Sequence, residues 1–252
     1  MVLVLISLDN IKFCTSTIIL KKASSLFCTT FSLPQPPRID SATLPKETRV
    51  FEDAQTICGI LKMVSGIELP SLDTLEELEK ILRAAHKWDM PGPISIIGRM
   101  RTSPGICAHP LRYYIIACTF GLEESAKTAS ALTHNIDIWV DSLTPALIQL
   151  ESKYLLKLLD LRRGRRDGLV EIMEKIQLEK CTNCSNPHLR NNFPWETLKL
   201  KAHKAMEVRP SEESLLGIKA TMPTVTCGYC SIVIPNWWLE IFQRFKMLSN
   251  TI

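Results

Sequence analysis

Residues 71–85 leave the chain least freedom. Leu75, Leu78, Ile81, Leu82 and Ala85 recur at the helical period, while Glu76, Glu77, Glu79, Lys80 and Arg83 fall on the other face. Ser71-Leu72-Asp73-Thr74 opens the stretch with capping residues. A stripe of this kind is stable only when its apolar face is covered, so the rest of the chain has to supply a core for it. With 252 residues and 46% apolar composition it can supply one sizeable core and a smaller second one, since single cores rarely grow beyond about 250 residues.

Ahead of this helix, residues 2–6 are β-branched or leucine, Leu8-Asp9-Asn10 has turn chemistry, and residues 11–14 suit a second strand, which together predict a hairpin. Ile18, Ile19, Ala23, Leu26, Phe27 and Phe31 follow near helical spacing, with Ser24 placed to cap a second short helix. Pro34, Pro36 and Pro37 end that helix and open a polar loop to about Lys46. A strand is expected over 48–51, then a helix capped by Asp53, carrying Ile57, Ile60, Leu61 and Val64, and closed by Gly66. Beyond 71–85, Asp89 to Pro91 breaks the helix and starts another with Ile94, Ile97 and Met100 on one face, before a turn at Ser103-Pro104-Gly105. A helix from Pro110 with Leu111, Tyr114, Ile115 and Cys118 ends at Gly121, and residues 122–132 form its antiparallel partner. A long helix over 151–180 carries Leu155, Leu158, Leu159, Leu169, Ile172, Met173 and Ile176, with a kink expected near Gly164. The tail holds a helix around Trp195, a loop around Pro210, and a last helix opened by Pro235 with Trp238, Ile241, Phe242, Phe245 and Leu248. The class is α+β.

Thirty basic residues against 26 acidic ones give a formal charge of +4, too near balance to imply a nucleic-acid or membrane partner unless the basic residues cluster. Of nine cysteines, Cys14, Cys28, Cys58, Cys107 and Cys118 stand singly in apolar stretches as small hydrophobes, which favours a reducing compartment. The opening apolar run is interrupted by Asp9 and Lys12 before a signal-peptide core is complete and reads as a buried strand. No stretch reaches the ~20 apolar residues of a membrane span. The expectation is an intracellular, cytoplasmic or nuclear, soluble protein without membrane partners.

The order of elements and several strings resemble the BTB/POZ domain of fungal proteins. The strings are Val4-Leu5-Ile6-Ser7-Leu8-Asp9, Phe13 with Leu20 seven residues on, Ala23-Ser24-Ser25-Leu26-Phe27, and Phe31-Ser32-Leu33-Pro34-Gln35-Pro36. Further on are Leu72 to Leu78, Ala84-Ala85-His86-Lys87-Trp88-Asp89-Met90, and His109-Pro110-Leu111-Arg112 to Phe120-Gly121-Leu122. The resemblance covers residues 2 to about 133. It implies a small sheet with surrounding helices, a following helical extension, and a non-catalytic scaffold whose partners are other proteins. Some members recruit cullin ubiquitin ligases and others bind transcriptional corepressors. Val2 stands where the family's first strand usually begins with Asp, and Ser16-Thr17 where its first helix usually opens with His and a basic residue, which puts the charged corepressor pocket in doubt. Family dimers often exchange a segment ahead of the first strand, and only Met1 precedes Val2, so homodimerisation by that route is expected to be weak.

Cys181-Thr182-Asn183-Cys184 and Cys227-Gly228-Tyr229-Cys230 each have the spacing that turns two thiolates toward one tetrahedral zinc. The 42 residues between the pairs exceed a compact zinc ribbon and require an inserted helix. A structural zinc on Cys181, Cys184, Cys227 and Cys230 is the leading reading, with reduced buried thiols and a redox pair as alternatives. His188 and His203 read as surface residues and His86 as a helix-terminal one. Arg162-Arg163-Gly164-Arg165-Arg166 is the one basic cluster and is expected to be a solvated helix face, with nuclear import or phosphate binding as the sharper alternative. Trp237, Trp238, Phe242 and Phe245 form a stripe expected to be core. No phosphate-binding glycine loop, GxSxG elbow or HExxH string occurs, and no enzyme is expected.

The chain therefore divides on paper into a BTB/POZ-like domain with the start of the extension (1–133), a helical extension (134–180) and a cysteine-rich C-terminal subdomain (181–252). The function expected is an adaptor or scaffold, for ubiquitin ligation or transcription. The rival is a zinc-dependent nucleic-acid-binding regulator that uses the cysteine knuckles and Arg162 to Arg166.

Overall fold

A central strand buried on both faces organises the first part of the computed structural model, which describes residues 2–33, 46–67, 69–100, 104–176, 193–220 and 228–252. Strand β1 (Val2–Ile6) is an unbroken apolar run with Leu3, Val4, Leu5 and Ile6 all buried, as a strand covered on two sides requires. It pairs antiparallel with β2 (Lys12–Ser16) and parallel with β3 (Lys46–Arg49), giving the order β2-β1-β3. Asn10, in the hairpin connection, takes a left-handed φ of 62°, which asparagine tolerates better than most residues. The third strand lies two residues earlier than its β-branched composition suggests. Its register is set by backbone bonds to β1, and Val50 donates to Ile6 O as the ladder ends.

Two short helices follow the hairpin. In α1 (Thr17–Ala23), Ser16 accepts from the Ile18 N–H as N-cap, and in α2 (Ser25–Ser32) Ser24 accepts from Phe27. Helix α3 (Ala54–Ser65) begins at the Asp53 cap and ends at Gly66, whose φ of 65° is the left-handed geometry that lacks a penalty only for glycine. Helix α4 (Leu75–Lys87) carries a full capping box between Thr74 and Glu77 and buries Leu75, Leu78, Ile81, Leu82, Ala84 and Ala85. Asp89, at φ 50°, then turns the chain into α5 (Pro91–Arg99). The predicted turn at Pro104 is one turn of helix, α6 (Pro104–Cys107), with proline in the first position, where its missing N–H costs nothing. Helix α7 (Pro110–Thr119) is buried almost throughout. This is an α+β arrangement of a small mixed sheet among helices.

The chain forms two compact units, Met1–Ser125 and Ala126–Ile252, and the division falls within α8 (Glu123–Leu132). The second unit is helical in its described residues. After a 3-10 turn at Thr133–Asn135 and α9 (Thr144–Ile148), α10 (Ser152–Lys175) is assigned as one helix that includes Gly164 and Gly168. It shares one core with α11 (Phe193–Val208), α12 (Glu212–Ala220) and α13 (Gly228–Lys246), in which Leu169, Met173, Met206, Leu215, Trp238, Ile241 and Phe245 are buried together. One prediction is corrected here. The last helix starts at Gly228 rather than at Pro235, which sits inside it; one lost backbone bond is outweighed by the aromatic stripe that the helix buries. The loop predicted around Pro210 is present at residues 209–211, and it leads into α12, a helix not predicted from the sequence and whose start is marked by Ser211 accepting from Ser214 N–H and by Glu212 and Glu213 in the first turn.

Candidate interaction surfaces

The corner between α1 and α2 is fixed by short polar contacts. Ser24 both caps α2 and donates to Trp88 O at the end of α4, and Ser25 donates to Asp89. Phe27 packs edge-on against Trp88 at 5.7 Å and stacks on Phe31. On this rigid frame Ile18, Leu26 and Leu33 remain exposed, at 60%, 45% and 58%. Ser16 and Thr17, which stand at the position of the charged pair expected from the BTB/POZ resemblance, serve instead as cap and as a buried first-turn residue. At the far end of the sheet Phe51 is 81% exposed with Lys87 over its ring, and Leu8 is exposed as well.

A groove of about 230 Å³ runs between α3 and α4. Its floor is Gly59, where an added Cβ would lie 2.7 Å from Ile81 Cδ1, so glycine is what allows the two helices to approach. The carboxylates in the groove are engaged in helix starts. Asp53 accepts from Lys80 and from the Thr56 N–H, both at 2.8 Å, and the lysine foremost, then the cap, hold its carboxyl down at about 2. Glu77 closes the capping box and accepts from Gln55 Nε2 at 2.7 Å. Cys58 lines the same groove half-buried, and no histidine stands among the described lining residues to act as its base. A neighbouring apolar void among Leu72, Leu78, Ile97, Ile106 and Tyr113 holds about 20 Å³, room for a water and no more.

The outer face of α4 carries an ion network. Arg112 reaches Glu76 and, at 3.2 Å, Glu79, which Arg83 also contacts from one turn away. Burial pushes the Glu79 carboxyl up, but the two guanidiniums together keep it below its ordinary value.

In the second unit the arginine run does not form one solvated face. Arg162 and Arg165 are 5% and 4% exposed. Arg162 donates to Thr133 O at 2.6 Å, Ile136 O at 3.2 Å and Val208 O at 2.7 Å; burial pushes it down to about 10, still protonated at neutral pH. Arg165 donates to Pro210 O at 2.9 Å and Ser249 O at 3.1 Å, with its guanidinium 4.3 Å from the Phe245 ring centre. Only Arg163 and Arg166 face outward, and each has a carboxylate at hand: Asp160 for the first, Asp167 and Glu207 for the second. The reason lies in register. Arg162 and Arg165 occupy the same stripe as the buried Leu158, Leu161, Leu169 and Ile172, and that phase was the signal in the sequence.

His134 was not singled out by its sequence context and is 2% exposed, with Nε2 3.2 Å from Asn250 O. His86 is exposed in the last turn of α4, and His203 is half-buried on α11. Among the single cysteines only Cys118 is the buried hydrophobe expected; Cys58 and Cys107 are half-buried, and Cys14 on the edge strand and Cys28 on α2 are exposed. Of the proposed zinc ligands, Cys181, Cys184 and Cys227 lie outside the described residues, and for Cys230 only its backbone in α13 is described. The stripe on α13 is core: Trp238 and Phe245 are buried, with Trp237 and Phe242 packed alongside. Among the described residues no group of three or more His, Cys, Asp or Glu is placed to hold a metal ion, and no helix is long and apolar enough to cross a membrane. Comparison with family models and with curated proteins finds no match for the chain.

Proposed function

We propose that this chain is a non-catalytic protein–protein interaction module of the BTB/POZ type, followed by a helical extension. The observation that carries the reading is the pair of short helices after the hairpin, pinned by Ser24 and Ser25 to the end of α4 while Ile18, Leu26 and Leu33 stay in solvent. A fixed frame that leaves large apolar side chains uncovered gains most by burying them against another protein. The element order supports it as well: antiparallel hairpin, two short helices, a third strand parallel to the first, then helices. The α3–α4 groove adds no catalytic pairing, because its acids serve as caps. Partners in this proposal are a cullin or a transcriptional corepressor.

The test is capture by the whole chain, wild type against I18D/L26D. The proposal expects a defined partner set to be lost from the double variant while its far-UV circular dichroism and melting temperature stay unchanged. A cullin in the lost set assigns the ubiquitin-ligase role, and a corepressor the transcriptional one. An identical captured set, or steady turnover of a substrate by the purified chain, would sink the reading. A structural zinc on Cys181, Cys184, Cys227 and Cys230 belongs to the same proposal, and its measure is one zinc per purified wild-type chain, lost in Cys181→Ser. The nucleic-acid alternative is weakened by the burial of Arg162 and Arg165, which removes half of the cluster from any phosphate-binding face.

A further inference from the structure

Residues 248–252 lie along the second unit as a peptide lies in a seat, held through its main chain. Arg165 on α10 donates to Leu248 O at 3.5 Å and Ser249 O at 3.1 Å, His134 Nε2 donates to Asn250 O at 3.2 Å, and Ser130 Oγ accepts from the Ile252 N–H at 3.3 Å. Two donors followed by an acceptor suit a non-helical main chain, because a helix uses the same groups within itself. The side chains of Ser249, Asn250 and Thr251 are exposed, whereas Leu248 and Ile252 are half-buried at the two ends. The seat therefore reads two apolar residues four apart and is tolerant between them. Its parts are placed by other contacts. Arg165 also donates to Pro210 O and lies 4.3 Å from the Phe245 ring centre, and Ser130 Oγ donates to Lys127 O at 2.7 Å. The turn that carries His134 is tied by Thr133 Oγ1 to Ser130 O and by Arg162 to Ile136 O.

The seat is also cationic. Arg162 and Arg165 are buried and donate to carbonyl oxygens, while the ion pairs of the arginine run belong to Arg163 and Arg166. Among the described residues neither Arg162 nor Arg165 has a carboxylate within ion-pair distance, and residues 248–252 bring no acidic side chain. Buried cations that meet only carbonyl dipoles gain from an anion in their place. We infer that Ser130, His134 and Arg165 form a docking seat for an extended acidic peptide of another protein, apolar at both ends, which residues 248–252 occupy in cis. This goes beyond the adaptor reading and does not depend on it. Exchange of the segment between two copies would replace contacts with identical ones and lose association entropy, so a second copy gains nothing by it. A foreign segment gains by carrying the charge that Ser249, Asn250 and Thr251 lack.

Fluorescence anisotropy of labelled Leu-Asp-Asp-Glu-Ile with the whole wild-type chain, read together with amide hydrogen exchange of residues 249–252, tests this. The expected result is saturable binding, about tenfold tighter than that of Leu-Ser-Asn-Thr-Ile or of Gly-Asp-Asp-Glu-Gly, with exchange at 249–252 rising as the peptide saturates. Ile252→Pro removes the N–H that Ser130 accepts and one apolar end of the resident segment, and is expected to tighten the acidic peptide about tenfold further. No binding, equal affinity for the three peptides, binding that leaves 249–252 protected, or unchanged affinity in Ile252→Pro overturns the proposal. Dimers of wild-type copies that are lost in Ile252→Pro would make a second copy the occupant and overturn it as well. Should Ile252→Pro fail to fold, the wild-type chain decides: release of 249–252 on peptide binding supports the seat, and continued protection removes it.

Discussion

Arg162 makes three charged hydrogen bonds to carbonyls, two in the turn at 133–136 and one at the end of α11, and of these Thr133 O also accepts from the Ile136 N–H. Arg162→Met keeps the apolar stem and removes the donors, so each orphaned buried acceptor costs about 1–3 kcal/mol. The expected loss in urea unfolding is about 3 kcal/mol or more. Arg163→Met, one residue away and exposed, is expected to stay within about 0.5 kcal/mol. A comparable loss in both variants would mean that the buried contacts carry no special weight. The contrast also shows what single residues reveal in advance. Ser24 and Asp53 were legible as caps, because capping is decided by the few residues around it. Arg162 was not, because a run of arginines looks solvated until its phase is set against Leu158 and Leu169, and its carbonyl partners lie 26 to 46 residues away. His134 gave no local signal at all, since its burial and its bond to Asn250 join positions 116 residues apart.

At the scale of elements, the two glycines of α10 separate intrinsic preference from packing. Both lower helix propensity by about 1 kcal/mol relative to alanine. A Cβ at Gly164 meets nothing within 4 Å, so Gly164→Ala is expected to raise the stability of the second unit by about 1 kcal/mol. At Gly168 the same Cβ would lie 2.8 Å and 2.9 Å from the two terminal methyl carbons of Leu248, so Gly168→Ala gains less or loses. Thermal melts of the two variants give the order, and equal gains would show that Leu248 moves aside freely. Helix existence was well marked where one face is buried, as in α3, α4 and α10, because burial imposes the 3.6-residue period on the sequence. Boundaries were less legible. The register of β3 is set by β1, forty residues earlier in the chain, and the start of α13 precedes Pro235 because tertiary burial of Trp238 and Phe245 outweighs one missing backbone bond.

At the scale of the molecule, the two units hold different titrating groups and are expected to lose stability in different pH windows. In the second unit His134 is neutral when folded and is held at about 4, against 6.5 when released. The unfolded state therefore binds the proton first, and the stability supplied by the neutral ring is complete above 6.5 and falls steadily as pH drops toward 4. The full effect is ~3 kcal/mol, of which about 2 kcal/mol is gone by pH 5. In the first unit the group that matters is Asp53, held at about 2 by Lys80 and the α3 cap. Its folded form gives up the proton more readily than its unfolded form, so its contribution persists until pH falls below 3.8 and is then lost toward 2. Hydrogen exchange resolved by peptide across pH 7 to 3 should show α10 to α13 weakening from about pH 6.5, while β1, α3 and α4 hold until below about pH 4. His134→Gln is expected to flatten the first window and leave the second unchanged. Parallel loss in both sets of peptides from pH 6.5 would mean that a group other than His134 governs the acid response.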